Sequence, residues 1–257
     1  MSFFILTVIS AFEFSLPAGE ISGMGAGVAV GDWRQSLGFN PALTASKARL
    51  AAAVVYAQPY GLKGLNCAWT GVKFKMGNFH SVFGLQMLGL NSNNEIDIAS
   101  ALALPIVKGL SGGLAIHGLI QHFHDISPEI VPVFDLGFRW TIDRFSVAIA
   151  LQRLNSPRFR NDDELFPRLR AGIAWELVEP VLLAIDLEKE AQVERLFWGT
   201  EFRLFPELVV RAGFETAPFS LRLGLGVRLN WLGLDYGYQY HPQIGDTHSW
   251  GMKGQWD

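Results

Sequence analysis

The chain has 257 residues, about half of them apolar and only 18% charged, with a net charge of -3. That balance lacks the basic patch of a nucleic-acid binder, and the single cysteine, Cys67, excludes an internal disulfide. No apolar run reaches the ~18 residues of a membrane-spanning helix, which leaves a large soluble β protein or a membrane barrel whose apolar residues are spread by alternation.

Residues 1–18 open the chain. Residues 3–11 resemble the apolar core of a secretory signal, and Ala18 follows among small residues, but no Lys or Arg precedes Arg34. The expectation is a signal segment or, in its place, an N-terminal strand or helix.

Residues 19–47, GEISGMGAGVAVGDWRQSLGFNPALTASK, are rich in glycine and small side chains and follow no strand period. Asn40 before Pro41 favours a turn that redirects the chain.

From residue 48 to 257 the sequence alternates. Apolar residues on one parity place one strand face against an apolar medium. Across a two-residue hairpin the apolar position jumps by three, as from Met76 to Phe79, Ile142 to Phe145 and Leu229 to Leu232. Leu204 and Leu208 enclose three residues with Pro206, which predicts a longer turn.

About fourteen strands follow: 48–58, 65–76, 79–90, 95–106, 112–123, 130–142, 145–155, 167–177, 181–188, 194–204, 208–215, 219–229, 232–240 and 248–256. Each is near the length that crosses a bilayer at a tilt. Tight turns are expected at 77–78, 107–111, 143–144, 178–180, 205–207 and 230–231. Longer polar loops, among them NSNN, HDISPE, SPRFRNDDELF and HPQIGDT, are expected at the other end. That asymmetry is the pattern of an outer-membrane barrel, with both termini in the periplasm.

A soluble sandwich alternates too. The aromatic residues separate the cases. Trp140, Phe145, Phe202 and Trp256 lie near tight turns, Tyr238 and Tyr240 near a longer loop, and all share the apolar parity. Two interfacial girdles require that placement. The expected fold is therefore a closed antiparallel transmembrane β-barrel of about fourteen strands.

The N-terminal motifs carry a family resemblance. Gly23-Met24-Gly25-Ala26-Gly27, followed by Asn40-Pro41-Ala42, resembles the signature of FadL-like outer-membrane proteins and more closely their PorV/PorQ relatives. The chain departs from it with Ala-Gly in place of Gly-Ala and with Leu43 directly after Asn-Pro-Ala. The resemblance implies a short lumenal hatch at 19–47, held by Gly23, Met24, Gly25, Gly27, Asn40, Pro41 and Ala42. A plain turn feeding the first strand is the alternative. The resemblance also implies one of two functions: transport of hydrophobic solutes, or a type IX secretion barrel that binds a protein.

The parity opposite the apolar one carries charges of both signs: Asp135, Arg139, Arg170, Glu176, Asp186, Glu188, Glu201, Arg203, Arg211, Glu215, Arg222, Arg228, Asp235 and Lys253. These are expected to line the lumen, either as a self-satisfying ladder of ion pairs or as a lining that selects solutes or grips the hatch. One-sign selectivity would need an excess of one charge.

Catalytic signals are weak. His122 and His124 share a strand face but sit at a strand end, where a solvated rim is the simpler reading than a metal site. His117 falls on the inward parity as a hydrogen-bonded lumen residue. No G-x-S-x-G pattern occurs. The expectation is a non-enzymatic bacterial outer-membrane barrel with no cofactor and no metal. Its partners would be the lipid bilayer and, in the two readings, a hydrophobic small molecule or a secretion-system protein.

Overall fold

The computed structural model describes Phe12 and residues 23–90, 93–123, 126–160 and 163–256. The expectations for 1–18 therefore lie, Phe12 apart, outside the described residues, as does His124.

Fourteen strands form: β1 Leu50–Gln58, β2 Leu65–Met76, β3 Phe79–Leu90, β4 Asn93–Val107, β5 Leu110–Phe123, β6 Ile126–Ile142, β7 Phe145–Gln152, β8 Arg168–Val178, β9 Val181–Glu190, β10 Val193–Phe205, β11 Leu208–Thr216, β12 Phe219–Leu229, β13 Leu232–His241 and β14 Gly245–Trp256. Each pairs antiparallel with the next, and β1 closes on β14 with Leu50 opposite Trp256 and Gln58 opposite His248. Closure leaves no unpaired strand edge. The even count puts the start of β1 and the end of β14 at one end, here the terminal end.

The phase jumps are two-residue hairpins. Met76 pairs with Phe79, Ile142 with Phe145 and Leu229 with Leu232. The turns expected at 107–111, 178–180 and 205–207 are tight as well, but shorter than those bounds. Val107 pairs with Leu110, Val178 with Val181 and Phe205 with Leu208, each after a register shift two residues earlier. A β-bulge absorbs the extra residue inside the strand, so the turn itself stays tight.

The far end is corrected as well. β4, β6 and β14 start at Asn93, Ile126 and Gly245, so much of the expected loop sequence is strand. The connections at 191–192 and 217–218 are as tight as those at the terminal end. One long connection remains, 153–167, and it is not merely a charged rim. Its Phe159 and Leu165 are fully buried against Leu119, Val131 and Val133. Two apolar side chains among many charges were enough to fold the loop inward, a burial worth roughly 1.5–3 kcal/mol each.

The outward parity is a continuous apolar surface. Phe219, Leu221, Leu223, Leu225 and Leu229 of β12 are exposed, while Ser220 and Arg222 between them are buried. Exposed Trp140, Trp175, Phe202, Trp231 and Trp256 ring the terminal end; Tyr56, Tyr240 and Trp250 stand toward the other. Such a surface is stable only against lipid.

The core therefore lies inside. Met24, Ala26, Val28 and Ala29 pack on Ala148, Ala150, Ala174 and Ala184 of the inner wall, and on Phe197. Trp33 and Leu37 pack on Ala51, Ala53, Val55, Trp69 and Val82. Small wall residues leave space that the segment from residue 23 to 49 fills.

Candidate functional site

The buried segment is folded by its own polar residues. Asp32 caps the 3-10 turn Trp33–Gln35, accepting from the Arg34 backbone N–H at 2.9 Å, while the Gln35 side chain accepts from the Asp32 N–H at 2.7 Å. This reciprocal box satisfies donors that a buried turn end would otherwise strand. Asn40 caps the next turn, Pro41–Ala45, accepting from the Ala42 N–H at 3.0 Å. Its amide also donates to the carbonyls of Val28 and, on the wall, Phe138, at 3.0 and 3.2 Å. Gly137 lies beneath Asn40, where a Cβ would strike the Asn40 amide.

Glycine on glycine fixes the other contact. A Cβ on Gly23 would come within 2.5 Å of the Gly224 Cα. Met24 is buried beside Gly199 and Gly213. Gly25 has a φ of 79° and lies against Arg222. The Gly27 and Val28 N–H groups donate to Asp186 at 2.6 and 2.9 Å. Pro41 and Ala42 rest on Gly113. All seven motif residues singled out in the segment are thus held between inner-wall residues.

A charged cluster pins the same segment. The Arg34 guanidinium pairs with Asp32 at 2.8 Å and with Asp235 of β13 at 2.9 Å. Asp235 also receives Arg211 and Arg228, each at 3.1 Å. Lys253 reaches Asp32 at 2.8 Å, and Arg211 reaches Glu201 at 2.8 Å. Burial would raise the Asp32 carboxyl, but Arg34 and Lys253 together outweigh it and hold the group well below the usual carboxylate range. Near the segment's exit the Lys73 ammonium donates to the carbonyls of Ser46 and Ala48.

A second ladder climbs β8–β10. Arg170 pairs with Glu188 at 2.7 Å and is sandwiched between Phe39 and Phe197, 4.5 and 4.4 Å from the ring centroids. Arg195 pairs with Glu188, Arg168 and Arg153 with Glu190, and Arg222 with Glu215. Among the residues expected inside, Asp135, Arg170, Arg211, Arg222, Asp235 and Lys253 are buried; Arg139, Glu201 and Arg228 are half-buried. Glu176 and Arg203 are exposed near the terminal end and are not part of either cluster. His122 is exposed at the end of β5.

Two cavities are lined by members of these charged clusters. The one toward the far end holds about 80 Å³ and is walled by Leu37, Phe39, Trp69, Leu119 and Val133 together with Asp97, His117, Asp135 and Gln152. Arg34 borders it from the segment. The other opens at the terminal end between Glu179, Glu201, Arg203, Arg211 and Arg228. Arg34 on the first and Arg211 on the second bond the two oxygens of the same Asp235 carboxylate. Outside the barrel, an apolar groove crosses β1–β3 and β12–β14, and Trp69 borders both it and the inner cavity.

His117 sits between two carboxylates, with Nδ1 2.9 Å from Asp97 and Nε2 3.3 Å from Asp135. Sequence reasoning placed His117 and Asp135 inside but missed Arg34, Gln152, Asp97 and Trp69. Arg34 had a signal: Asp32 and Arg34 are the sole charges between residues 21 and 46. Trp69 had none, because its apolar side chain occupies the parity that elsewhere is polar.

No family model and no curated protein matches the chain. Among solved structures, CymD, a monoaromatic hydrocarbon channel, superposes with a TM-score of 0.69 at 14% identity, over 93% of this chain and 97% of its own. A mutant porin of Rh. blastica aligns over 82% of this chain and 100% of its own at 9% identity, with a TM-score of 0.49, too remote to carry an argument. The likeness to CymD is one of fold, and the fold of this chain is a closed fourteen-stranded barrel.

Proposed function

We propose that the protein is a bacterial outer-membrane channel for small, largely hydrophobic solutes, with the segment 19–47 as its hatch. The terminal end of the barrel faces the periplasm. The observation that carries this reading is the pairing of Arg34 and Arg211, across the two cavities, on one Asp235 carboxylate. Arg34 borders the far-side cavity and Arg211 the one at the terminal end, so the carboxylate they share is where this reading puts the closure. A hydrocarbon solute is the class named for CymD, and the apolar part of the far-side cavity suits it. Transport needs no covalent chemistry from the residues at the site.

Uptake tests the reading. Gram-negative cells displaying the protein should take up labelled toluene faster than cells without it, because lipopolysaccharide slows hydrocarbons that cross phospholipid freely. Equal uptake, with co-purification of a large secretion-system subunit, would replace the channel by a protein-binding barrel.

A further inference from the structure

The far-side cavity is not uniformly apolar, and its polar atoms have a direction. Gln152 is 7% exposed, and its Oε1 is buried without a hydrogen-bond partner. Its amide nitrogen is held by the Gly38 carbonyl at 3.0 Å, which fixes the oxygen's position. Across the same cavity, among the described residues, both Asp97 oxygens face only His117 Nδ1, at 3.1 and 2.9 Å. Each carboxylate oxygen carries two lone pairs, so Asp97 retains acceptor capacity. The cations that border the cavity are committed elsewhere: Arg34 to Asp32 and Asp235, Arg153 to Glu190, and Arg168 to Glu190.

We infer that this cavity is a binding site for a small ring-sized solute that carries a hydrogen-bond donor, a hydroxyl or an amine, donated to Gln152 Oε1 and, when reoriented, to Asp97. The inference rests on the channel reading and narrows its solute. The volume of about 80 Å³ is several times the ~10–15 Å³ that one water needs, and it leaves no room for a long alkyl chain. Leu37, Trp69, Leu119 and Val133 take the apolar body. A bare hydrocarbon would expel water from Gln152 without replacing its hydrogen bond, which costs affinity.

The test compares phenol with benzene, which differ by the donor alone, on the detergent-solubilised full-length protein by calorimetry. Wild type should bind phenol more tightly than benzene, by about threefold to tenfold for one net hydrogen bond. Gln152→Leu should shrink that preference while keeping benzene affinity, since Asp97 is then the acceptor left, and Gln152→Glu, which retains acceptor oxygens, should restore it. Equal affinities in the wild type, or no binding of either, overturn the inference, and this comparison needs no variant to fold. An equal loss of both ligands in Gln152→Leu also overturns it. Toluene uptake by cells reports the channel reading separately. Uptake without a phenol preference sinks only the inference; a phenol preference without uptake sinks only the channel.

Discussion

Arg34 and Asp235 stand 201 residues apart in the chain and 2.9 Å apart inside the barrel, both side chains almost completely buried. The pair joins the segment to the wall. Removing one member of a buried pair leaves the other uncompensated, at a cost of roughly 3–5 kcal/mol. Asp235 keeps Arg211 and Arg228, so Arg34→Leu should sit near the lower figure. Hydrogen exchange should quicken across residues 23–47 while β12 and β13 stay protected. Uniform protection in the variant would show that the pair does not hold the segment.

The glycine wall makes a steric prediction. In Gly213→Val a Cβ would land on the Met24 carbonyl, which is backbone and cannot swing aside. The segment should be displaced, at about 1–3 kcal/mol, and limited proteolysis should cut between residues 23 and 47. Gly118→Val is the control, because the nearest atom to its Cβ would be 3.8 Å away. Equal proteolysis of the two variants would contradict the packing.

Acidity should act on the segment through Asp32. Its carboxyl is depressed in the folded state by Arg34 and Lys253 against the opposing effect of burial. A depressed carboxyl contributes stability that is fully present above the ordinary aspartate value of about 3.9 and is lost as pH falls further, through the folded value. Docking of the segment should therefore be flat from about pH 5 to 8 and weaken only below ~4. Asp32→Asn should loosen it across that plateau. Exchange rates at residues 23–47 across this range provide the measurement.

The lipid face has its own test. Leu225 is exposed on the outward parity, paired across the hairpin with Tyr236. Leu225→Arg should cost about 2–4 kcal/mol in a bilayer, read from urea unfolding in lipid. Unchanged stability would mean that this face does not contact hydrocarbon.

Much of the barrel was legible because alternation is a local signal. The jump from Leu229 to Leu232 identifies a hairpin without knowledge of any other strand. Bulges were not legible: Leu204 looks like the last strand residue before a three-residue turn until Arg203 and Phe205 are paired across to β11. The site was legible only in part. Charges on the inward parity stand out in sequence, whereas Gln152 and Trp69 acquire meaning through neighbours from other strands. The inner faces of β7 to β9 carry alanine, a residue that fits either side of a barrel wall, so the filled lumen left little trace there. Loop 153–167 misled because its many charges conceal Phe159 and Leu165.

Conductance across a planar bilayer tests the central claim, that the segment closes a channel. Wild type should show little steady current, and the chain lacking residues 19–43 should show a sustained open level, both with the heat-modifiable migration of a folded barrel. Equal conductance of the two folded proteins would contradict the account.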